Sequence, residues 1–180
     1  MRVLLDACVI FPTVMREMLL GVAAQGAFEP RWSARILEEW ALAARKLGPQ
    51  GEALARGEVA MVKAQFPDAS VKPAPGLEAR LWLPDDNDIH VLASAIAGYA
   101  DVIVTNNAKD FPRGILAEEG ISRVDPDAFL LGHWQEQPAL VAQVGESVLA
   151  EARRLSDEDW TLRALMKKAR LPRLGKALTA

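Results

Sequence analysis

Apolar residues follow two kinds of pattern along this chain. Arg2-Val3-Leu4-Leu5 and Asp101-Val102-Ile103-Val104-Thr105 are short apolar runs that end in polar positions. Runs without alternation predict strands buried on both faces, as in a parallel sheet. Residues 121–124 give a further short strand. Elsewhere apolar residues recur at helical spacing. Pro12 suits a first helical position, and Val14, Met15, Met18, Leu19 and Val22 follow on one face. Ser33 caps a second helix whose face holds Ile36, Trp40, Ala44 and Leu47, stopped by Gly48-Pro49. A third helix covers residues 52–65. Four breakers, Pro67, Pro73, Pro75 and Gly76, make residues 67–84 a loop with room for a short strand near 70–72.

Asp85-Asp86-Asn87-Asp88 opens a fourth helix running to about Tyr99, and Asp125-Pro126 starts another. Strands alternating with helices predict a three-layer α/β fold with a central parallel sheet. Beyond residue 130 the pattern is helical throughout. Leu140, Val141, Val144, Val148 and Ala152 share a face, and Ser156-Asp157-Glu158-Asp159 has the form of a capping box before a last helix with Leu162, Leu165 and Met166. The expected organisation is one α/β domain over residues 1–130 and a helical extension over 131–180.

Composition narrows the setting. With 180 residues, 51% of them hydrophobic, the chain buries a good-sized core without disulfides. Its single cysteine, Cys8, excludes an intrachain disulfide and the spacings of structural zinc sites. No apolar run approaches the roughly 18 residues of a membrane span, and no signal-peptide pattern opens the sequence. A cytoplasmic protein with no membrane attachment is expected. The net charge of −3 hides an asymmetry: six of the 21 cations and none of the 24 acids lie in residues 161–180, so the other 160 residues carry 15 cations against 24 acids. An acidic body repels a polyanion unless a cation masks it. Lys167, Lys168 and Arg170 in the tail are therefore candidate phosphate contacts, the alternative being a solvated helix face.

Side chains just past the carboxyl ends of parallel strands converge on one crevice. Asp6 and the loop from Thr105 to Asp110 belong there by position, although an Asp after a strand commonly caps the next helix. Helix phase separates other acids. Glu39 flanks the face of Ile36, Leu37 and Trp40, whereas Glu38 lies nearly opposite. Asp88 starts the stripe continued by Val91, Leu92, Ala95 and Ile96. The alternative for Asp88 is the third position of a capping box begun by Asp85. Converging carboxylates repel one another, and a hard dication with oxygen ligands resolves the conflict. Such a centre suits phosphodiester hydrolysis.

Four segments in this order, Val-Leu-Leu-Asp6, Ile36-Leu37-Glu38-Glu39, Pro84-Asp85-Asp86-Asn87-Asp88-Ile89-His90-Val91-Leu92-Ala93 and Val102-Ile103-Val104-Thr105-Asn106-Asn107-Ala108-Lys109-Asp110-Phe111-Pro112, resemble the PIN domain, and especially its VapC-like toxin branch. The resemblance covers roughly residues 2 to 130. It implies a metal-dependent endoribonuclease in which Asp6, Glu39, Asp88 and Asp110 are the catalytic carboxylates. Asp6 and Asp88 would be the principal ligands of Mg²⁺ or Mn²⁺, with Asp110 and Glu39 completing the shell or orienting water. Asp86, Thr105 and Asn107 rank second. It also implies an RNA substrate and a small antitoxin partner, and leaves a homodimer open. Two positions depart from the family: Cys8 stands where a polar residue is usual, and Asn106-Asn107 where many members carry another acid.

Several residues invite other readings. His90 lies two positions past Asp88, about 200° around an α-helix, and so is expected to point away from the carboxylates as a packing or hydrogen-bonding residue. His133 has no partner at metal-ligand spacing, and Cys8 lacks the cationic neighbour a nucleophilic thiol needs. Trp32, Trp40 and Trp160 read as core anchors, with Trp82 free to stack on a base. A haloacid-dehalogenase-like phosphatase with Asp6 as nucleophile is the rival enzyme, although such enzymes usually carry a second Asp where Cys8 stands. An inactive PIN-like binding or regulatory module is the rival from another class.

Overall fold

The computed structural model describes residues Met1–Ala180. In chain order its elements are β1 (Arg2–Leu5), α1 (Ala7–Ile10), α2 (Thr13–Ala24), β2 (Glu29–Ser33), α3 (Ala34–Ala43), α4 (Gly51–Gln65), β3 (Ser70–Val71), α5 (Pro75–Glu78), α6 (Ile89–Ala97), β4 (Val102–Val104), α7 (Arg113–Glu118), β5 (Ser122–Val124), α8 (Pro126–Glu136), α9 (Pro138–Leu155), α10 (Leu162–Lys168) and α11 (Pro172–Ala177). The strands form one parallel sheet in the order β3-β2-β1-β4-β5, flanked by helices. This is the expected α/β architecture.

Two compact units divide the chain. The first comprises Met1–Phe11 and Glu29–Val124 and holds the sheet. Val3, Leu4 and Leu5 of β1 and Ile103 and Val104 of β4 are fully buried, which is why both segments are unbroken apolar runs. Leu5 stands opposite Val104, so Asp6 and Thr105 leave neighbouring strands at the same edge. Strand β2 had no apolar signature. It reads Glu-Pro-Arg-Trp-Ser, with Pro30 opposite Val3 and Trp32 the one large apolar side chain buried.

Ser33 caps α3 as expected, its Oγ accepting the Ile36 N–H at 3.2 Å. The face assigned to that helix does not extend to Leu47, however. The chain tightens into a 3-10 turn over Ala44–Leu47 before Gly48, whose φ is 120°, and Leu47 is left exposed. The fourth helix likewise begins later than expected. Asp86–Asp88 form a 3-10 turn, and α6 starts at Ile89.

The second unit comprises Pro12–Phe28 and Asp125–Ala180. Within it α2 packs on α9 so closely that a Cβ on Gly21 would lie 2.6 Å from Val144 Cγ1. Phe28, Phe129 and His133 form an aromatic cluster with centroids 4.7 to 5.5 Å apart. The cap of α10 is Thr161, whose Oγ1 accepts the Ala164 N–H at 3.2 Å, and not the run from Ser156 to Asp159. That run lies outside the helix, with Ser156 Oγ accepting Trp160 Nε1–H instead.

One buried carboxylate fastens α11 to α8. Asp127, on α8, accepts the backbone N–H groups of Arg173 (3.0 Å) and Leu174 (2.9 Å) at the start of α11, and Arg173 Nε–H at 3.2 Å. Hydrogen bonds to an ionised group contribute about 1.5–3 kcal/mol each, and stranding their partners costs more than the average bond gains. Asp127→Ala is expected to destabilise this unit by about 3 kcal/mol, read as a lower midpoint in urea unfolding. A midpoint equal to wild type would contradict it.

Candidate metal centre

The edge where β1 and β4 end carries the acidic residues. Asp6 occupies the N-cap position of α1, yet its side chain caps nothing. Oδ2 accepts the Thr105 hydroxyl at 2.6 Å and the Cys8 thiol at 3.1 Å. Those donors are themselves held, because Thr105 Oγ1 accepts the Asn107 N–H at 2.9 Å and Cys8 Sγ accepts the Asn106 N–H at 3.3 Å. Asp6 is thus clamped through one oxygen, leaving the other for a ligand. Burial, with the Asp6 charge second, pushes the Cys8 thiol up to about 12. It stays protonated and serves as a donor, which disposes of a nucleophilic role.

Asp88 lies at the start of α6. Its Oδ2 accepts Asn107 Nδ2–H at 3.0 Å, so it does not reach back to close a capping box. Desolvation, followed by the charges of Asp6, Asp85 and Asp110, pushes Asp88 up to about 6, with His90 partly opposing. Asp85 does cap the 3-10 turn, its Oδ1 accepting the Asn87 N–H at 2.9 Å. It also joins a cluster that the sequence did not single out. One carboxylate oxygen each from Asp85, Asp88 and Asp110 lie within 4.8 Å of one another. A 3-10 turn has three residues per turn, so Asp85 and Asp88 come to the same side. The spacing of those two acids was the available signal. Asp86, between them, is exposed and outside the cluster.

Glu39 is placed differently. Its Oε1 accepts His90 Nε2–H at 2.9 Å and Arg35 Nε–H at 3.3 Å. His90 is 3% exposed and reaches a catalytic candidate, contrary to the expectation that it faces away. The error was one of phase, because Asp88 belongs to the 3-10 turn and an α-helical angle cannot be counted from it. Glu38 instead meets Arg56 in a bidentate pair at 2.7 and 2.8 Å, on the outer side of α3.

The site therefore brings together Asp85, Asp88 and Asp110, with Asp6 coupled to Asp88 electrostatically and Glu39 outside that cluster, tied to α6 through His90. The donor set fits a hard dication. Carboxylate oxygens bind such ions at about 2.0–2.6 Å, which places ligands on opposite sides of one ion about 4–5 Å apart. Burial raises Asp88 most and the neighbouring carboxylates add to it; a bound cation relieves that repulsion.

The family model for the PIN domain matches residues 2–109, more than half of the chain. The chain belongs to the PIN-domain family. Neither a curated protein nor a solved structure matches it. PIN domains are typically metal-dependent nucleases acting on RNA, and the acidic cluster is compatible with that chemistry. The match includes Asp6, Glu39, Asp85 and Asp88 and stops one residue before Asp110. No helix of this PIN protein is long and apolar enough to cross a membrane.

Proposed function

We propose that this PIN protein is a metal-dependent endoribonuclease, the toxin of a VapBC-type pair, working in the cytoplasm on RNA with Mg²⁺ or Mn²⁺. The convergence of Asp85, Asp88 and Asp110 carries the reading. Asp6, Asp88 and Asp110 are its metal ligands, with Asp85 added to them by the geometry. A bound dication would supply Lewis acidity toward a phosphate oxygen and would lower the pKa of a water, so that it can give up a proton and attack as a nucleophile. Around it, Thr105 and Cys8 fix the rotamer of Asp6, and Asn107 holds Asp88 through its amide. Glu39, held by His90, would orient that water. The PIN-domain match favours this reading over the phosphatase.

A small antitoxin is the expected partner, and residues 131–180 form the extension that accompanies the 1–130 domain. Lys167 and Arg170 are exposed cations suited to phosphate, while Lys168 lies 4.5 Å over the Trp160 ring. The deciding experiment is cleavage of a fluorogenic RNA. Activity with Mg²⁺ or Mn²⁺, lost in EDTA and restored by added metal, supports the nuclease. No cleavage with either ion, in antitoxin-free protein, supports the inactive module.

His90 offers a finer test. Partners that orient residues around a metal are commonly worth about 10–100-fold in activity. His90→Ala is expected to lower kcat about tenfold with KM little changed, and His90→Gln to recover part of it by presenting an amide N–H to Glu39. Equal losses in both variants would mean that the imidazole acts only by packing.

A further inference from the structure

Helix α6 ends, at the opposite pole from Asp88, in a closure that α10 repeats with Arg170 at φ 61°. The Tyr99 N–H donates to the Ile96 carbonyl at 3.1 Å and the Ala100 N–H to the Ala95 carbonyl at 2.8 Å. This is a Schellman closure, whose left-handed residue is ordinarily glycine. Here Tyr99 takes that place, with φ 52°. The glycine sits one position earlier because a Cβ on Gly98 would lie 2.8 Å from Val71 Cγ2 and 3.0 Å from the Ser94 carbonyl oxygen. An aromatic residue in the left-handed region is costly, and such outliers concentrate at functional sites. Packing does not compensate, since Tyr99 is 77% exposed.

Tyr99 borders a cavity of about 530 Å³ whose charged lining residues are Arg2, Arg31 and Lys72, with no acid among them. In a chain of net charge −3 this is a local reversal of sign. Arg31 is anchored, its side chain 13% exposed, by the Pro30 carbonyl at 2.9 Å and Glu29 Oε2 at 2.7 Å. Two of its five N–H groups are thereby used and others remain. Glu29 also lies 3.5 Å from Arg2 Nε, and Asp101 Oδ2 accepts the Arg2 backbone N–H, so two acids partly offset the arginines and the local balance is three cations against two acids. Lys72 has no such partner.

We propose that this cavity binds a nucleoside phosphate, with the base against Tyr99 and the phosphate between Lys72 and the two arginines. A volume of about 530 Å³ falls within the range of small-molecule sites. An exposed ring presents a stacking face that any base accepts, and clustered Arg and Lys are the side chains that hold phosphate. An inorganic anion has no use for the ring, and an aromatic peptide has no use for three cations. Helix α6 has nine residues, about 14 Å at 1.5 Å each, between this cavity and the carboxylates. The cavity is thus a site apart from the metal centre and does not depend on the nuclease reading. The nucleoside phosphate is either free or one unit of an RNA chain.

Calorimetry on the full chain in EDTA tests this, with adenosine 5′-monophosphate, adenosine, inorganic phosphate and a five-nucleotide RNA as probes. The monophosphate is expected to saturate, with adenosine and phosphate each at least about tenfold weaker. Tyr99→Gly and Lys72→Glu are each expected to weaken the monophosphate about tenfold. Glycine suits the left-handed position, so Tyr99→Gly should fold at least as stably as wild type. RNA binding that is tighter than the monophosphate and equally sensitive to Tyr99→Gly assigns the site to an RNA chain; equal affinity assigns it to a free nucleotide. No saturable binding of either probe, or monophosphate affinity unchanged in both variants, overturns the proposal. The readout is heat in the absence of metal, so a protein that cleaves nothing still gives a decisive answer.

Discussion

Asp88→Asn is expected to abolish RNA cleavage and, in the metal-free protein at neutral pH, to raise stability. Both effects come from the same geometry. Asp88 is ionised at pH 7 against desolvation and the charges of Asp6, Asp85 and Asp110, which push it up to about 6. The folded protein therefore binds this proton more tightly than the unfolded chain, and stability falls as pH rises from about 4 to about 6 and stays lowered above that. Asparagine removes the charge and with it the penalty, while keeping an oxygen for the Asn107 amide.

In EDTA the variant should melt above wild type at pH 7, with the difference vanishing below about pH 4, where Asp88 is protonated in both states. Adding Mn²⁺ should reverse the order, because only wild type gains the full stabilisation of a bound ligand. For the rate, losing several kcal/mol of charge stabilisation corresponds to about three decades or more in kcat/KM. A variant that cleaves within tenfold of wild type, or melts lower in EDTA at pH 7, would refute the assignment. Residues chosen for function against stability show this pairing of signs.

Asp6→Asn is expected to lower kcat/KM at least about a hundredfold, with Thr105→Val costing about tenfold. Asp6 and Thr105 form one device. Oδ2 is bound by the Thr105 hydroxyl and the Cys8 thiol, so the free oxygen is presented in a fixed direction. Replacing Asp6 removes the charge, whereas replacing Thr105 leaves the charge and loosens its aim. Thr105→Val also strands the Asn107 N–H, so its melting temperature should fall while that of Asp6→Asn changes less. Cleavage and thermal unfolding measured on the same preparations separate the two effects. Identical rate losses in both variants would show that the clamp, and not the carboxylate, sets the rate.

Much of this architecture is legible in the chain because burial leaves a pattern. Strands β1 and β4 lie inside the sheet and must be apolar on both faces, so Val3-Leu4-Leu5 and Val102-Ile103-Val104 are plain in the sequence. Helices α3, α4 and α9 announce themselves by length and spacing, and α3 also by its Ser33 cap. Strand β2 left no such trace, since Glu29, Pro30 and Arg31 reach their places through pairing with β1, a long-range contact that no local window contains. The short helices α1, α5 and α7 escaped for want of a full amphipathic turn or two.

The acidic edge of the sheet was legible where it depends on strand ends and α-helical phase. Asp6 follows β1 at that edge, and Glu38 lies outward against Arg56 while Glu39 meets His90. It was illegible where the backbone tightens. The 3-10 turn at residues 86–88 brings Asp85 beside Asp88 and rotates His90 toward Glu39, and neither follows from 100° per residue.

The clasp of Asp127 couples helices α8 and α11 across 46 and 47 residues of sequence. Opening α11 strands a buried carboxylate, so fraying of this six-residue helix is opposed from inside its own unit. Amide hydrogens of Arg173 and Leu174 should therefore exchange with solvent more slowly than so short a helix would allow by itself.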